Sequence, residues 1–190
     1  MVFQLIGGSN FQRIEFPTHS LHEGFMRNSY TNLSVGGLSV HPKRGKFLLD
    51  YVDTDIIDKT LILFVNANGY GLTDYGQFIT DYISAIRQLI ARGYHESSII
   101  ILTPLIRGNN VQHHADQLTQ INRFKKVLNQ LHVTYYDTYS ALPIWIRDPS
   151  RIFGRRSIRQ KNYLHYSADC RNFIHDLVGE ALLNAFQLDF

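Results

Sequence analysis

The order of apolar and polar positions divides the chain into strand-like and helix-like stretches that alternate. Short runs rich in apolar residues, bounded by Gly, Asn, Asp or Pro, are typical of strands buried in a parallel sheet. Five such runs occur, at positions 2–6, 30–35, 61–65, 98–103 and 133–136. Longer stretches in which apolar residues recur at helical spacing indicate amphipathic helices. Three of these occur, at positions 74–92, 115–131 and 167–186.

Strands that alternate with helices predict an α/β fold. The expected architecture is a single domain over residues 1–190, with three α/β/α layers around a five-stranded parallel sheet of flavodoxin-like type. A short helix is expected over residues 47–57, after a basic loop at residues 41–46. Pro17 argues against a long regular helix in the segment that follows the first strand.

Composition narrows the class of protein without naming a function. The chain has 190 residues, of which 44% are hydrophobic and 18% are charged, as in ordinary globular proteins. The single cysteine, Cys170, excludes a disulfide framework and a zinc site built from cysteines. No apolar stretch approaches the roughly 20 residues that cross a bilayer. Residues 2–6 are too short for the apolar core of a signal peptide, so a cytoplasmic location is expected.

Residues suited to acyl transfer follow several of the predicted strands. Ser9 comes after Gly7-Gly8, Gly37 ends the second strand, Asn68 follows the third, and His165 precedes the last helix. In a parallel sheet these positions meet at one edge. Acyl transfer requires a hydroxyl nucleophile, an imidazole base and donors for an oxyanion. Each residue also has a structural explanation (a helix cap, a turn, a helix start), but together they predict a site.

The order Ser, Gly, Asn, His at these strand ends resembles the SGNH (GDSL-type) hydrolase superfamily, and especially the catalytic subunits of platelet-activating-factor acetylhydrolase. The turn Val35-Gly36-Gly37-Leu38-Ser39 is similar to the second block of that family. Residues 162–167, Asn-Tyr-Leu-His-Tyr-Ser, are similar to its last block. The similarity covers nearly the whole chain.

The resemblance implies a serine esterase that needs no cofactor and cleaves a small acyl ester. Ser9 would be the nucleophile and His165 the general base. The N–H groups of Ser9 and Gly37 would form the oxyanion hole together with the side-chain amide of Asn68.

Three residues differ from the family pattern. Gly8 stands where Asp usually precedes the serine, Asn66 stands where Gly is usual, and Asn162 replaces the Asp that orients the histidine. In one serine protease the Asp-to-Asn change lowered turnover about 10⁴-fold. Asp137, at the end of the fifth strand, is either a substitute carboxylate or, as we favour, a structural strand-end acid. The chain is therefore an esterase, a catalytically impaired module of the same fold that binds a polyanion, or a scaffold domain with a vestigial cleft.

The second possibility gains weight from the basic residues of the 147–161 loop, where Asp148 is the only acid. A partner such as RNA or another polyanion would contact these cations. The candidates for that contact are Arg151, Arg155, Arg156, Arg159 and Lys161. The pair His113-His114 does not predict a metal site, because adjacent side chains on a helix point in different directions.

Overall fold

The computed structural model describes residues 2–9, 30–52, 59–161, 163 and 165–187. Seven strands and six helices lie in this part of the chain. The strands are β1 (Val2–Gly7), β2 (Tyr30–Asn32), β3 (Leu38–Ser39), β4 (Lys46–Phe47), β5 (Lys59–Phe64), β6 (Ile99–Leu102) and β7 (Thr134–Tyr136). The helices are α1 (Tyr75–Ala91), α2 (Val111–Gln130), α3 (Thr138–Ala141), α4 (Pro149–Ile152), α5 (Arg155–Arg159) and α6 (Ala168–Gln187).

The central sheet has five parallel strands, as the alternation of apolar runs predicts. Their order is β2-β1-β5-β6-β7. Its inner strands are buried, as expected where helices cover a parallel sheet on both faces, whereas the edge strands β2 and β7 contain exposed residues. In β5 and β6 every residue from Thr60 to Phe64 and from Ile99 to Leu102 is buried. The predicted α/β/α fold is confirmed.

Strand order also determines where this fold places a site. The chain runs from β1 outward to β2 and then crosses back to β5 on the other side of β1. Gly7, the last residue of β1, is registered with Phe64, the last residue of β5. A crevice at such a reversal, outside the carboxyl ends of the strands, is where open α/β sheets bind ligands.

The two long helices after β5 and β6 pack against each other through aromatic side chains. Tyr82 of α1 and Phe124 of α2 have ring centroids 4.9 Å apart, and both side chains are fully buried. α2 begins at Val111, four residues before the predicted start, because the side chain of Asn110 accepts hydrogen bonds from the N–H groups of Gln112 and His113 and caps the helix.

Two predictions about connecting segments are wrong. Residues 47–50 form the end of β4 and a 3₁₀ turn (Leu48–Asp50), not the start of a regular helix, because β4 pairs with β3; residues 53–58 of the predicted helix lie outside the described residues. The 147–161 segment is not a loop throughout, since it contains α4 and α5. Across the described residues, no helix is long and apolar enough to span a membrane.

Candidate active site

Ser9 lies directly after the carboxyl end of β1, where the strand order of the sheet reverses. Its backbone turns into a helical conformation directly after the buried Gly8, and its side chain is partly exposed. The carbonyl of Gly7 accepts a hydrogen bond from the N–H of Val35, 3.0 Å away. The segment after β2 is thereby held beside the end of β1, and with it the turn that contains Gly37.

The side-chain amide of Asn68, in the loop after β5, contacts the segments that follow β1 and β2. Its Nδ2 lies so close to Gly8 that a Cβ on that glycine would be 2.9 Å away, and it makes a long hydrogen bond of 3.5 Å to the carbonyl of Leu38. Gly8, one of the departures from the family pattern, therefore makes room for this amide. Three of the loops that the sequence predicts to converge do so here.

Gly37 and Asn66 have clear local roles. Gly37 has φ of +79°, a conformation that favours glycine, and its carbonyl accepts a hydrogen bond of 3.0 Å from the N–H of Lys46. Asn66 is buried, and its Oδ1 accepts a hydrogen bond of 3.1 Å from the N–H of Leu105. The second departure from the family pattern thus ties the loop after β5 to the loop after β6.

Arg107, which the sequence analysis does not single out, holds the loop that carries Asn68. Its side chain is buried, and one guanidinium nitrogen (Nη1) donates to the carbonyls of Ala67 at 2.6 Å and Tyr70 at 3.0 Å. The backbone of Arg107 is in turn held on both sides by the buried amide of Gln117 on α2. Burial lowers the pKa of Arg107 from its ordinary value, yet an arginine stays charged in proteins.

A second arginine contacts the same loop from the solvent side. The guanidinium of Arg44 lies 4.5 Å from the centroid of the Tyr70 ring and donates to the carbonyl of Gly69 at 3.2 Å. Gly69 has φ of +81°, and a Cβ there would strike the carbonyl of Arg44. The hydroxyl of Tyr70 donates to Asp81 on α1 at 2.6 Å. The Asn68 loop is therefore fixed on both of its sides.

His165 lies just before α6, on a segment fixed by its backbone. Its carbonyl accepts from the N–H of Gly154 at 2.9 Å, and its N–H donates to the buried hydroxyl of Ser157 at 3.2 Å. The next residue, Tyr166, is buried, and its ring lies 6.2 Å from that of Phe64 at the end of β5. The contact with Phe64 places the segment at the same sheet edge as Ser9 and Asn68.

The backbone just before His165 is strained. Lys161 and Tyr163 have φ of +52° and +47°, a left-handed conformation that costs a residue with a Cβ about 1 kcal/mol or more. The ring of Tyr163 packs 5.4 Å from that of Phe153 and is buried. Strain of this kind persists where the surrounding contacts enforce it. Asn162 lies outside the described residues.

Asp137 has the structural role that we favour from the sequence. Its carboxylate accepts a hydrogen bond from Lys125 at 2.6 Å and bonds from both the N–H and the hydroxyl of Ser140, so it caps α3. Burial raises the pKa of Asp137, but the hydrogen bonds from Lys125 and Ser140 outweigh it and hold the pKa below its ordinary value. Asp137 directly follows β7, which lies three strand positions from β1, or about 14 Å at normal strand spacing. This spacing separates it from the strand that precedes Ser9.

The basic residues of segment 147–161 differ in what they contact. Arg147 donates to the carbonyls of Leu142 at 2.9 Å and Ser140 at 2.7 Å, which gives it a structural role. The other cations of the segment are exposed, and they are Arg151, Arg155, Arg156, Arg159 and Lys161.

Of the His113-His114 pair, His114 contacts the loop after β6. The ring Nε2 of His114 lies 2.7 Å from the carbonyl of Gly108. Within the described part of the chain, no group of three or more His, Cys, Asp or Glu side chains is arranged to hold a metal ion.

Comparison with known proteins relates this geometry to one fold. No family model matches the sequence, and no curated protein matches it. Among solved structures, an acetylxylan esterase from Geobacillus stearothermophilus is similar with a TM-score of 0.61 and 14% identity, covering 96% of this chain and 92% of that chain. A GDSL-like lipase from Bacteroides thetaiotaomicron is similar with a TM-score of 0.58 and 10% identity, covering 96% and 88%.

A third similar structure is a lipase/acylhydrolase from Enterococcus faecalis, with a TM-score of 0.53 and 14% identity, covering 96% of this chain and 95% of that chain. These likenesses extend over almost the whole of each protein. The chain has the three-layer α/β/α fold of the SGNH (GDSL-type) hydrolases.

Proposed function

We propose that the protein is an acyl-ester hydrolase in which Ser9 is the nucleophile. The observation that carries the proposal is the position of the Asn68 amide, which lies against Gly8, next to Ser9, and reaches Leu38. A neutral donor beside a serine at the switch point of a parallel sheet is what an oxyanion hole needs. The lipases and esterases that share the fold support the same reaction class.

In the proposed mechanism the Oγ of Ser9 attacks the ester carbonyl carbon while His165 takes the hydroxyl proton. The carbonyl π electrons move to oxygen, and the oxyanion is stabilised by the N–H groups of Ser9 and Gly37 and by one N–H of the Asn68 amide. When the intermediate collapses, the bond to the leaving alkoxide breaks, and His165 gives its proton to that alcohol. Water then attacks acyl-Ser9 by the same steps and releases the acid.

Asn162 sets an upper limit on the expected rate. An amide at this position orients an imidazole, as in the Cys-His-Asn proteases, but it does not offer the charge that stabilises the imidazolium. A serine is also a weaker nucleophile than a thiolate. We therefore expect slow turnover of activated short-chain esters. A module without catalysis that binds a polyanion is the competing hypothesis.

The test is labelling with a fluorophosphonate probe, together with hydrolysis of p-nitrophenyl acetate. Wild type should be labelled, and Ser9→Ala should lose labelling and at least ~10³-fold in turnover, the scale seen when a catalytic serine is removed. Ser84→Ala, an exposed serine on α1, is the matched control and should keep both activities. If folded wild type is not labelled, or if Ser9→Ala is labelled equally, the proposal is wrong.

A further inference from the structure

The sheet edge that carries the candidate site also carries an unusual set of apolar side chains. Among the residues whose side chains the structure describes, three large apolar ones are mostly exposed: Val111 at 83%, Ile144 at 82% and Trp145 at 52%. A single exposed apolar residue is ordinary, whereas several that share one face indicate a contact surface.

The topology places all three at the carboxyl edge of the sheet. Val111 is the first residue of α2 and follows the loop that leaves β6. Ile144 and Trp145 follow α3, which itself begins directly after β7. β6 and β7 are neighbours in the sheet, so the apolar residues lie on adjacent loops. Ser9 and Asn68 lie at this same edge.

Exposed cations follow Ile144 and Trp145 in the chain, and one of them contacts the indole ring. The guanidinium of Arg151 lies 5.9 Å from the centroid of the Trp145 ring. On α5 the buried residue is Ser157, which bonds the backbone of His165, while Arg155 and Arg156 are exposed. α5 therefore exposes Arg155 and Arg156 to solvent.

The acid of this segment, Asp148, is ionised and supplies one negative charge. Both the hydroxyl and the N–H of Ser150 bond the carboxylate of Asp148 and hold its pKa below the ordinary value. Even when Asp148 is fully ionised, it opposes five exposed cations with one negative charge. The face is cationic with apolar tips.

We propose that this face docks on an anionic lipid surface. Aliphatic and indole side chains enter the region between headgroups and acyl chains, and arginines bind the anionic headgroups around them. This chemistry explains Ile144 and Val111, because aliphatic side chains neither stack on bases nor bind phosphates, as a nucleic-acid site would require. The apolar side chains match the acyl-chain region of a membrane surface, and the arginines match its anionic headgroups.

The proposal connects with the proposed function without depending on it. Docking would bring the crevice between β1 and β5 to the acyl esters of the lipid, and this consequence rests on Ser9 being a nucleophile. Docking itself does not, since neither the apolar tips nor the arginines take part in the chemistry. Ser9→Ala should therefore bind vesicles as wild type does, and the two proposals fail separately.

The experiment uses Trp145, the single tryptophan of the chain, as its own reporter. Protein is titrated with vesicles of phosphatidylcholine alone or with 30% phosphatidylserine, and binding is followed by tryptophan emission and by co-sedimentation. We expect a blue shift, protection from acrylamide quenching, and at least ~10-fold stronger binding to the anionic vesicles, with binding that weakens as salt is added.

Two variants and one control separate the contributions. Ile144→Ser should weaken vesicle binding several-fold, and Arg155→Glu with Arg156→Glu should weaken it at least ~10-fold. Arg87→Glu with Lys126→Glu makes the same charge change at exposed positions of α1 and α2 and should have a much smaller effect.

Equal binding to both vesicle types, or equal losses in the control and the α5 variant, would overturn the proposal. The same samples are titrated against a single-stranded RNA homopolymer. Tight RNA binding that the α5 charge reversal abolishes but Ile144→Ser leaves unchanged, with no vesicle binding, would assign the face to nucleic acid instead.

Discussion

The two halves of the candidate site are held in different ways. We call the loop that carries Asn68 the oxyanion half and the segment that carries His165 the base half, after the roles that we propose for them. The loop that carries Asn68 is fixed by side chains: Arg107 binds two of its carbonyls, Arg44 a third, and Asn66 bonds the neighbouring loop. The segment that carries His165 is fixed through its backbone, by Gly154 and Ser157. One half depends on a network of buried polar groups, and the other on the fold of segment 147–161.

This difference matches the different chemical requirement of each half. A donor for an oxyanion must already be in position before the reaction, since its value comes from preorganisation. The network around Asn68 supplies that rigidity, with buried contacts from Arg107 and Asn66 and a solvent-side contact from Arg44. A general base instead needs a suitable pKa and hydrogen-bond partners for its ring, which backbone contacts alone do not determine. Two of the departures from the family pattern, Gly8 and Asn66, lie in the half that we propose to supply the oxyanion donors.

The largest effect we expect comes from the oxyanion half. Asn68→Ala should lower kcat about 10²- to 10³-fold, as the loss of one oxyanion donor does elsewhere, with little change in KM. Arg107→Met should lower kcat about 10-fold or more because the Asn68 loop loses its two carbonyl contacts. Arg107 is thus a positioning residue, and Arg107→Lys should recover part of the rate.

The double variant distinguishes positioning from a general loss of structure. If Arg107 acts through Asn68, Arg107→Met should cost little further kcat in the Asn68→Ala background. Thermal unfolding of each variant is the companion measurement, since two buried carbonyls without their donor should cost about 1–3 kcal/mol each. Additive losses in kcat would mean that Arg107 supports the fold in general and not this amide.

Most of the fold could be predicted from the sequence, because apolar runs such as 61–65 and glycine at strand ends reflect local physics. The β3–β4 pair could not, since two-residue strands have no period to detect. Arg107 was missed for a related reason: a single arginine between a buried strand and a helix resembles a solvated loop residue. Its partners are backbone carbonyls some 40 positions earlier, which leave no trace in the residue types.

The base half is tested next by Ser9→Cys. A free thiol has a pKa of about 8.5, and an imidazole paired with it lowers that value markedly. We expect the pH dependence of alkylation to report a pKa for Cys at position 9 below about 7, and His165→Ala to return it to about 8.5. Cys170 adds little background because it is buried and burial raises its pKa to about 12. An unshifted pKa that ignores His165→Ala would remove His165 from the proposed mechanism.

The smallest expected effect concerns Asp137, and it asks whether the base half uses this distant carboxylate. Asp137→Asn should lower the free energy of unfolding at pH 7 by about 1 kcal/mol, because it removes the ion pair with Lys125 while an asparagine can still cap α3. The pKa of Asp137 is depressed in the folded state, so its stabilisation is present above the unfolded pKa and lost as pH falls through the folded pKa. Wild type and variant should therefore converge in stability at acid pH. The kcat at pH 7 should be unchanged, because both oxygens of the Asp137 carboxylate already accept hydrogen bonds from Lys125 and Ser140. Lys125→Met is the matched control and should remove part of the same stability. A fall in kcat for Asp137→Asn without a change in unfolding would instead assign Asp137 to the histidine.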